Sequence, residues 1–183
     1  MKLILASSSP SRTAIMKLLG YDFDIINHRY DEDKTLKGSP EEIVKNEAYE
    51  KVKSIAGRCR DSIVIGFDTV VFFNGNILYK PSDKEDARKM LSSLQGKIHT
   101  VFTGVCVWNT KTNKCLINFD SADVKFRKLS DKEIEAYLKE GKGMNCAGAY
   151  YDMELIKEVE GDIYTVKGIP VFKLLKMMGE IKH

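Results

Sequence analysis

The sequence contains no hydrophobic run long enough to cross a membrane. Its longest apolar stretches, such as residues 101–108, fall well short of the roughly 18 residues that a membrane-spanning helix needs. Met1 and Lys2 are followed by only four apolar residues and then by serines, which is too few for the core of a signal peptide. We therefore expect no membrane partner and a cytoplasmic location.

The chain also has little excess charge of either sign. Its 29 lysines and arginines against 26 aspartates and glutamates give a net charge of +3. This mild charge does not indicate a nucleic-acid partner, and the aromatic residues do not alternate with basic ones as on nucleic-acid-binding surfaces. The phosphate-loop motif GxxxxGK[ST], the dinucleotide motif GxGxxG and the metalloprotease motif HExxH are absent too.

Cysteine and histidine are few and scattered. The chain has four cysteines and three histidines, with no C-x-x-C pair and no histidine at zinc-ligand spacing from a cysteine. We expect reduced thiols and no structural zinc, since disulfides are rare where no secretory signal is present.

The sequence does contain the pattern of a mixed α/β protein. Its 183 residues, 43% hydrophobic and 30% charged, suit one compact domain or two small lobes. Helix starts are predicted after Ser9, Ser39, Ser82 and Ser130, the last three as capping boxes with a glutamate three residues on, and after Pro170. Leu18 and Leu175 are expected on the buried faces of the first and last helices.

Strands are expected at residues 2–6, 21–26, 63–73, 77–80, 101–108, 115–126 and 163–166. Asn74-Gly75 indicates a hairpin turn, and residues 110–114 are predicted to join a second, longer hairpin. Hairpins require antiparallel pairing, so the sheet must be at least partly antiparallel. A purely parallel, doubly wound sheet fits poorly.

The turn after the first strand is a candidate anion site. Ser7, Ser9 and Arg12 lie where a strand leads into a helix, and the free N–H groups of a helix start attract anions. Arg12 lies in the first helical turn, where a cation is unfavourable unless an anion offsets it. The alternative is an ordinary helix cap with a solvated arginine.

Asp68 is unusual because it interrupts an apolar strand. A buried carboxylate is costly unless it meets a cation or a metal ion, and strand-end carboxylates often hold Mg²⁺ against a phosphate. The alternative is a partly exposed Asp68 at a bend after Gly66. Lys51 and Lys80 also have two interpretations: phosphate ligands, or a helical ion pair of Lys51 with Glu47 and an exposed Lys80.

Taken together, several segments resemble one known family. They are ASSSPSR at residues 6–12, GFDTVV at 66–71, Lys80-Pro81, LQGKIH at 94–99 followed by Thr103-Gly104, CAGAY at 146–150 and VKGIP at 166–170. In this combination the chain resembles the Maf (septum formation inhibitor) family of nucleoside triphosphate pyrophosphatases. The resemblance runs from Leu3 to about Met178.

The resemblance implies an elongated mixed α/β fold, one domain over residues 1–183, with two lobes around a central cleft. It implies hydrolysis of a nucleoside triphosphate to the monophosphate and pyrophosphate with Mg²⁺ or Mn²⁺, and it suggests a homodimer. It assigns substrate binding to Ser7, Ser9, Arg12, Lys51 and Lys80, catalysis to Asp68, and metal binding to Glu32 and Asp68.

Positions that the family associates with base choice disagree with one another. The family's doubled arginine is Ser11-Arg12 here, and the glutamine of the thymidine/uridine-selective subgroup falls at Met153. Thr69 matches that subgroup, whereas Cys146-Ala147-Gly148 is closer to another. Since Ser11 and Met153 cannot supply guanidinium and amide contacts, we expect loose or atypical base selectivity.

A non-catalytic regulator of cell division, which acts by binding a partner, is the rival hypothesis that the family's name suggests. Asp68 with Lys51 and Lys80 favours the enzyme, because a binding module has no need of a carboxylate inside an apolar strand.

Overall fold

A computed structural model describes residues 1–32, 37–151 and 153–181. Six helices and seven strands are assigned there, with 3₁₀ turns at Ala147–Ala149 and Met153–Leu155. The strands are β1 (Lys2–Leu5), β2 (Asp24–Ile25), β3 (Ser62–Phe73), β4 (Asn76–Leu78), β5 (Ile98–Asn109), β6 (Lys114–Phe126) and β7 (Ile156–Glu160). The helices are α1 (Pro10–Leu18), α2 (Pro40–Ala56), α3 (Lys84–Leu94), α4 (Asp131–Lys139), α5 (Ile163–Val166) and α6 (Val171–Glu180).

One mixed sheet organises these elements, as predicted. Its order is β2-β1-β3-β5-β6-β7, and β4 pairs with β3 outside this path. β1 runs parallel to β2 and β3, while β3, β5, β6 and β7 are successively antiparallel. β5 and β6 form the long predicted hairpin. The sheet therefore combines a short parallel edge with a large antiparallel part.

The core is divided between the two halves of β3. Around its first half, side chains of β1, α1 and α6 pack on one face of the sheet and those of α2 on the other. Around its second half, α3, α4 and β6 pack with the residues near Tyr150. The core therefore consists of separate clusters of buried residues along β3.

Most helix starts follow the predicted caps, with one exception. Ser39 and Ser130 form capping boxes with Glu42 and Glu133. The capping box predicted at Ser82 is wrong: Asp83 caps α3 by accepting from the backbone N–H of Asp86. Aspartate and serine are equally good caps, so the residue types alone did not distinguish the two neighbours.

Other differences lie near the end of the chain and on two helix faces. The strand predicted at residues 163–166 is wrong, because Asp162 accepts from the N–H of Tyr164 and starts the short helix α5. The edge strand β7 was not predicted, since its sequence IKEVE is rich in charge. Leu18 is 71% exposed and Leu175 46% exposed, so neither is buried as expected.

The four cysteines carry free thiols, and Sγ of Cys106 lies 3.5 Å from Sγ of Cys115 between β5 and β6. None of the helices in the described part of the chain has the length and apolar character needed to span a bilayer.

Candidate active site

The candidate site lies along one edge of β3, in the gap between the parts of that edge that pair with β1 and with β4. β1 pairs with residues 62–65 of β3, and β4 pairs with residues 71–73. Residues 66–70 lie between these pairings, beside the end of β1 and the start of α1. Successive side chains of a strand point to opposite faces, so Asp68 and Thr69 border this opening on different faces of the sheet.

Two glycines let α2 approach the face that carries Asp68. A Cβ at Gly66 would lie 2.6 Å from Cγ2 of Val52, and a Cβ at Gly104 would lie 2.1 Å from the carbonyl oxygen of Val44. Gly104 is also the cross-strand partner of Asp68. This close packing brings Lys51, on the inner face of α2, against Asp68.

Four charged side chains then meet in one line of contacts. Nζ of Lys51 lies 2.5 Å from Oδ1 of Asp68 and 2.8 Å from Oε1 of Glu32. Nζ of Lys80, which follows β4, lies 2.9 Å and 3.2 Å from the two carboxylate oxygens of Glu32. Lys51 is 3% exposed and Asp68 is 7% exposed, whereas Lys80 is on the surface. The free-energy cost of burying the Asp68 carboxylate is thus offset by the buried ammonium group of Lys51.

The simpler interpretations of Lys51 and Asp68 are wrong. Lys51 is not the partner of a helical ion pair with Glu47: its ion pairs are with Asp68 and Glu32. Asp68 is not a partly exposed residue at a bend but a buried one in a continuous strand. Lys80 is exposed, as the simpler interpretation predicted, but its ammonium group forms an ion pair with Glu32.

The ion pairs change the acidity of Glu32. Partial burial opposes ionisation of its carboxyl group, but the ammonium groups of Lys51 and Lys80 outweigh that effect and lower its pKa to about 2. Glu32 is therefore a carboxylate throughout the physiological range.

The serine-rich turn has the geometry of a capped helix start. Ser9 caps α1 by accepting from the N–H of Arg12 at 3.4 Å, with Pro10 in the first turn. Oγ of Ser7, which is buried, accepts from the N–H of Ser9 at 3.2 Å and from Nη1 of Arg12 at 3.5 Å. The turn thus places two hydroxyls and a guanidinium group at a helix N-terminus.

Arg12 is not the solvated arginine of the alternative interpretation. Its Nε donates to the carbonyl oxygen of Gly168 at 3.0 Å, its Nη2 donates to Oγ1 of Thr69 at 3.1 Å, and its Cζ lies 5.7 Å from the ring centroid of Phe67. Burial lowers its pKa, and the negative charges of Asp68 and Glu32 act in the opposite direction. Arg12 therefore links the turn to β3 at Thr69 and to the backbone at Gly168.

The three positions linked to base choice are not brought together equally. Oγ of Ser11 donates to the carbonyl oxygen of Lys167 at 3.0 Å, on the segment that also binds Arg12. Thr69 lines the pocket beside Asp68. Met153 lies in the 3₁₀ turn before β7, and none of the site contacts described above involves it.

Three site residues were not predicted in this role. Glu47 and Tyr79 line the pocket with Glu32, Asp68 and Lys80, and Oε1 of Glu47 accepts from the hydroxyl of Tyr30 at 2.9 Å. Thr103 lies beside Thr69 on the neighbouring strand β5. A carboxylate on the apolar side of α2 was a usable signal for Glu47, whereas nothing local distinguishes Thr103 from other threonines in strands.

Carboxylates are the residues of this pocket that could ligate a metal ion. In the ranges 1–32, 37–151 and 153–181, no group of three or more histidine, cysteine, aspartate or glutamate side chains is disposed to hold a metal by itself.

Comparison with known proteins gives consistent matches over the whole chain. The sequence pattern described as Maf-like protein matches residues 2–181. A protein of Aquifex aeolicus (strain VF5) named dTTP/UTP pyrophosphatase is 40% identical over 185 residues, which cover 99% of this chain and 96% of that protein. A dTTP/UTP pyrophosphatase of Alkaliphilus metalliredigens (strain QYMF) is 41% identical over 187 residues, covering 100% and 95%.

Among solved structures, that of a HAM1 protein from Coxiella burnetii superposes with a TM-score of 0.52 at 15% identity, covering 98% of this chain and 99% of that one. At this identity the likeness concerns the fold alone. It supports the mixed α/β architecture described above.

Proposed function

The chain belongs to the Maf-like protein family, and we propose that it is a nucleoside triphosphate pyrophosphatase. The reaction is hydrolysis of a nucleoside triphosphate to the monophosphate and pyrophosphate. The observation that carries the proposal is the set of ion pairs that Lys51 and Lys80 form with Glu32 and Asp68. Arg12 lies nearby, bonded to Thr69, the residue next to Asp68 in β3. The relatives at about 40% identity, which are named dTTP/UTP pyrophosphatases, support it.

The cationic groups suit a triphosphate, which carries several negative charges on closely spaced oxygens. Arg12, Ser7 and Ser9 lie at the helix N-terminus, where N–H groups and hydroxyls can donate to phosphate oxygens. Lys51 and Lys80 lie across the opening and would neutralise charge on the same chain of phosphates. We assign substrate binding to these five residues.

Asp68 is the proposed general base. It would take a proton from a water molecule, whose oxygen attacks the α-phosphorus, while the bond from the α-phosphorus to the oxygen that bridges to the β-phosphorus breaks. Pyrophosphate leaves with that bridging oxygen. Lys51 holds the Asp68 carboxylate in place through its ion pair, and α2 keeps this carboxylate largely shielded from bulk water.

The donor set fits Mg²⁺ or Mn²⁺. Both ions prefer oxygen ligands, and Mg²⁺ is commonly held by one or two carboxylates together with substrate phosphates. Glu32 and Asp68 would be those carboxylates. When bound, the ion would supply positive charge to the phosphate oxygens.

The names of the relatives make dTTP and UTP the first substrates to test. In this chain the hydroxyl of Ser11 is bonded to the backbone at Lys167, and Met153 carries no hydrogen-bonding amide. We therefore propose a pyrophosphatase of pyrimidine nucleoside triphosphates that discriminates less between bases than a site that reads the base through several hydrogen bonds.

The test is release of pyrophosphate from a panel of ribo- and deoxyribonucleoside triphosphates, with Mg²⁺ and with Mn²⁺. Formation of monophosphate and pyrophosphate in equal amounts is expected, and formation of diphosphate and phosphate would point to cleavage at the γ-phosphorus instead. If no triphosphate is hydrolysed under any of these conditions, the enzyme proposal is wrong and the binding-protein alternative gains.

The proposed catalytic unit is the whole chain, because its contacts run from Ser7 to Gly168. The homodimer and the cytoplasmic location stay predictions.

A further inference from the structure

A buried threonine, Thr103, contacts the residue that accepts a hydrogen bond from Arg12 of the serine-rich turn. Thr103 of β5 is the direct cross-strand partner of Thr69 of β3, and it is fully buried, with 0% exposure. Directly opposed side chains of an antiparallel pair lie on the same face of the sheet, and the two hydroxyl oxygens are 3.0 Å apart. Thr103 is thus connected to Arg12 through a single residue, Thr69.

Donor and acceptor counting gives these hydrogen bonds one direction. The hydroxyl of Thr103 donates its only proton to the carbonyl oxygen of Thr165 at 2.8 Å. In the contact between the two threonines, the hydroxyl of Thr69 must therefore be the donor. Its oxygen is left to accept, and it accepts from Nη2 of Arg12 at 3.1 Å. The order is Arg12 to Thr69 to Thr103 to the backbone at Thr165.

The two ends of this series of hydrogen bonds, Arg12 and Thr103, both donate to carbonyl oxygens of the segment 165–168. Thr165 lies in α5, and Gly168, two residues beyond the end of α5, accepts from Nε of Arg12. A guanidinium group held on Nε and on Nη2 has its plane and its orientation defined, which a single contact does not achieve.

We infer that Thr103 is a positioning residue for Arg12: it orients the Thr69 hydroxyl so that this oxygen accepts from Arg12 and aims the guanidinium group at the triphosphate. This inference rests on the proposed function, which assigns Arg12 to substrate binding. Thr103 itself is not proposed to touch the nucleotide.

Thr103→Val removes the hydroxyl while keeping the shape of the side chain. The Thr69 hydroxyl then loses its acceptor and can rotate its proton toward Arg12, which removes the acceptor that Arg12 uses. We expect KM for the preferred triphosphate to rise roughly tenfold while kcat stays within about threefold, because only a group that binds substrate is affected. Thr103→Ser retains the hydroxyl and should restore KM to within about twofold of wild type.

Thr100→Val is the matched control. Thr100 lies on the same strand, and its hydroxyl bonds to Asp123 on β6, outside the site. It should leave KM and kcat unchanged. Thermal melts of all variants would show whether the protein is folded, and Thr103→Ala replaces Thr103→Val under the same criteria if the valine variant does not fold.

A double-mutant cycle with Arg12→Ala separates positioning from a general structural effect. If Thr103 acts through Arg12, then Thr103→Val in the Arg12→Ala background should change kcat/KM by less than about twofold. An equal loss in both backgrounds, or wild-type KM in Thr103→Val, would overturn the inference.

Failure of the proposed function would look different. In that case wild type would release no pyrophosphate. Full activity of Arg12→Ala in an active enzyme would instead remove Arg12 from the site, and the positioning role with it. An active wild type and an impaired Arg12→Ala, together with an unaffected Thr103→Val, would reject the positioning role alone.

Discussion

Replacement of Asp68 by asparagine tests the proposed mechanism most directly. Asparagine has nearly the same shape and keeps one oxygen acceptor, but it has neither the charge nor the basicity of a carboxylate. The position is buried, pairs with Gly104 in the sheet and contacts Lys51 at 2.5 Å. The substitution therefore removes the proposed base without creating a cavity.

The size of each effect follows from these contacts. Loss of a general base lowers the rate by about 10²–10⁴. Breaking a buried ion pair commonly costs about 3–5 kcal/mol. Lys51 keeps Glu32 as a partner at 2.8 Å, and asparagine can still accept a hydrogen bond, so we expect a smaller loss of about 2 kcal/mol. For a chain of this length that corresponds to a fall in Tm of roughly 4–8 °C.

The assay is kcat at saturating nucleotide and metal, with a thermal melt on the same preparation. Asp123→Asn is the matched control: it makes the same chemical change on β6, where Asp123 accepts from Thr100 away from the pocket. We expect its kcat to equal that of wild type. If Asp68→Asn lowers Tm as expected but keeps kcat within a few-fold of wild type, Asp68 is structural and the mechanism is wrong.

Four further predictions use other parts of the site and the chain. Arg12→Ala should lower kcat/KM by about tenfold to a hundredfold, since hydrogen bonds to charged groups contribute about 1.5–3 kcal/mol each; an unchanged value would remove the turn from the site. Glu32 has a folded-state pKa of about 2, below the usual glutamate value of 4.5, so its stabilising contribution is present above pH 4.5 and lost as the pH falls toward 2. Acid unfolding of Glu32→Gln should lack that loss, and identical acid unfolding curves would contradict the ion pairs. Across a triphosphate panel we expect preferences of no more than about 10², because Ser11 and Met153 cannot supply the expected polar contacts, and strict preference for dTTP and UTP would show that other groups read the base. Titration of freshly denatured protein kept from air should find all four cysteines as thiols, and a count of two would reveal a disulfide.

Local sequence determined much of the framework. The capping boxes at Ser39 and Ser130 define helix starts because their hydrogen bonds join residues three apart. The long hairpin of β5 and β6 follows from two apolar segments around a short polar turn. Asp68 stood out because a carboxylate in an apolar strand demands a partner, and the structure supplies one. Each of these inferences depends on a few neighbouring residues.

The ion-pair partners of Lys51 on α2 could not be predicted from neighbouring residues. Lys51 has Glu47 at the usual helical spacing, and nothing nearby in the sequence favours Asp68 or Glu32 over it. The partner of Lys51 is decided by the packing of α2 against Gly66 and Gly104, which brings the ammonium group to Asp68 of β3. The energy of a buried ion pair depends on which surfaces exclude water from it, and that is a property of packing.

The orientation of Arg12 was likewise decided only by the tertiary structure. The sequence predicted an anion site at the turn, but not the bonds that hold the guanidinium group. Those bonds require the β3–β5 register that sets Thr69 opposite Thr103, and they require residues 163–166 to form a helix rather than the predicted strand. The residues involved lie between 34 and 156 positions apart in the chain. Helix caps and turns act within a few residues, whereas hydrogen bonds between strands and distant loops exist only once the whole chain has packed.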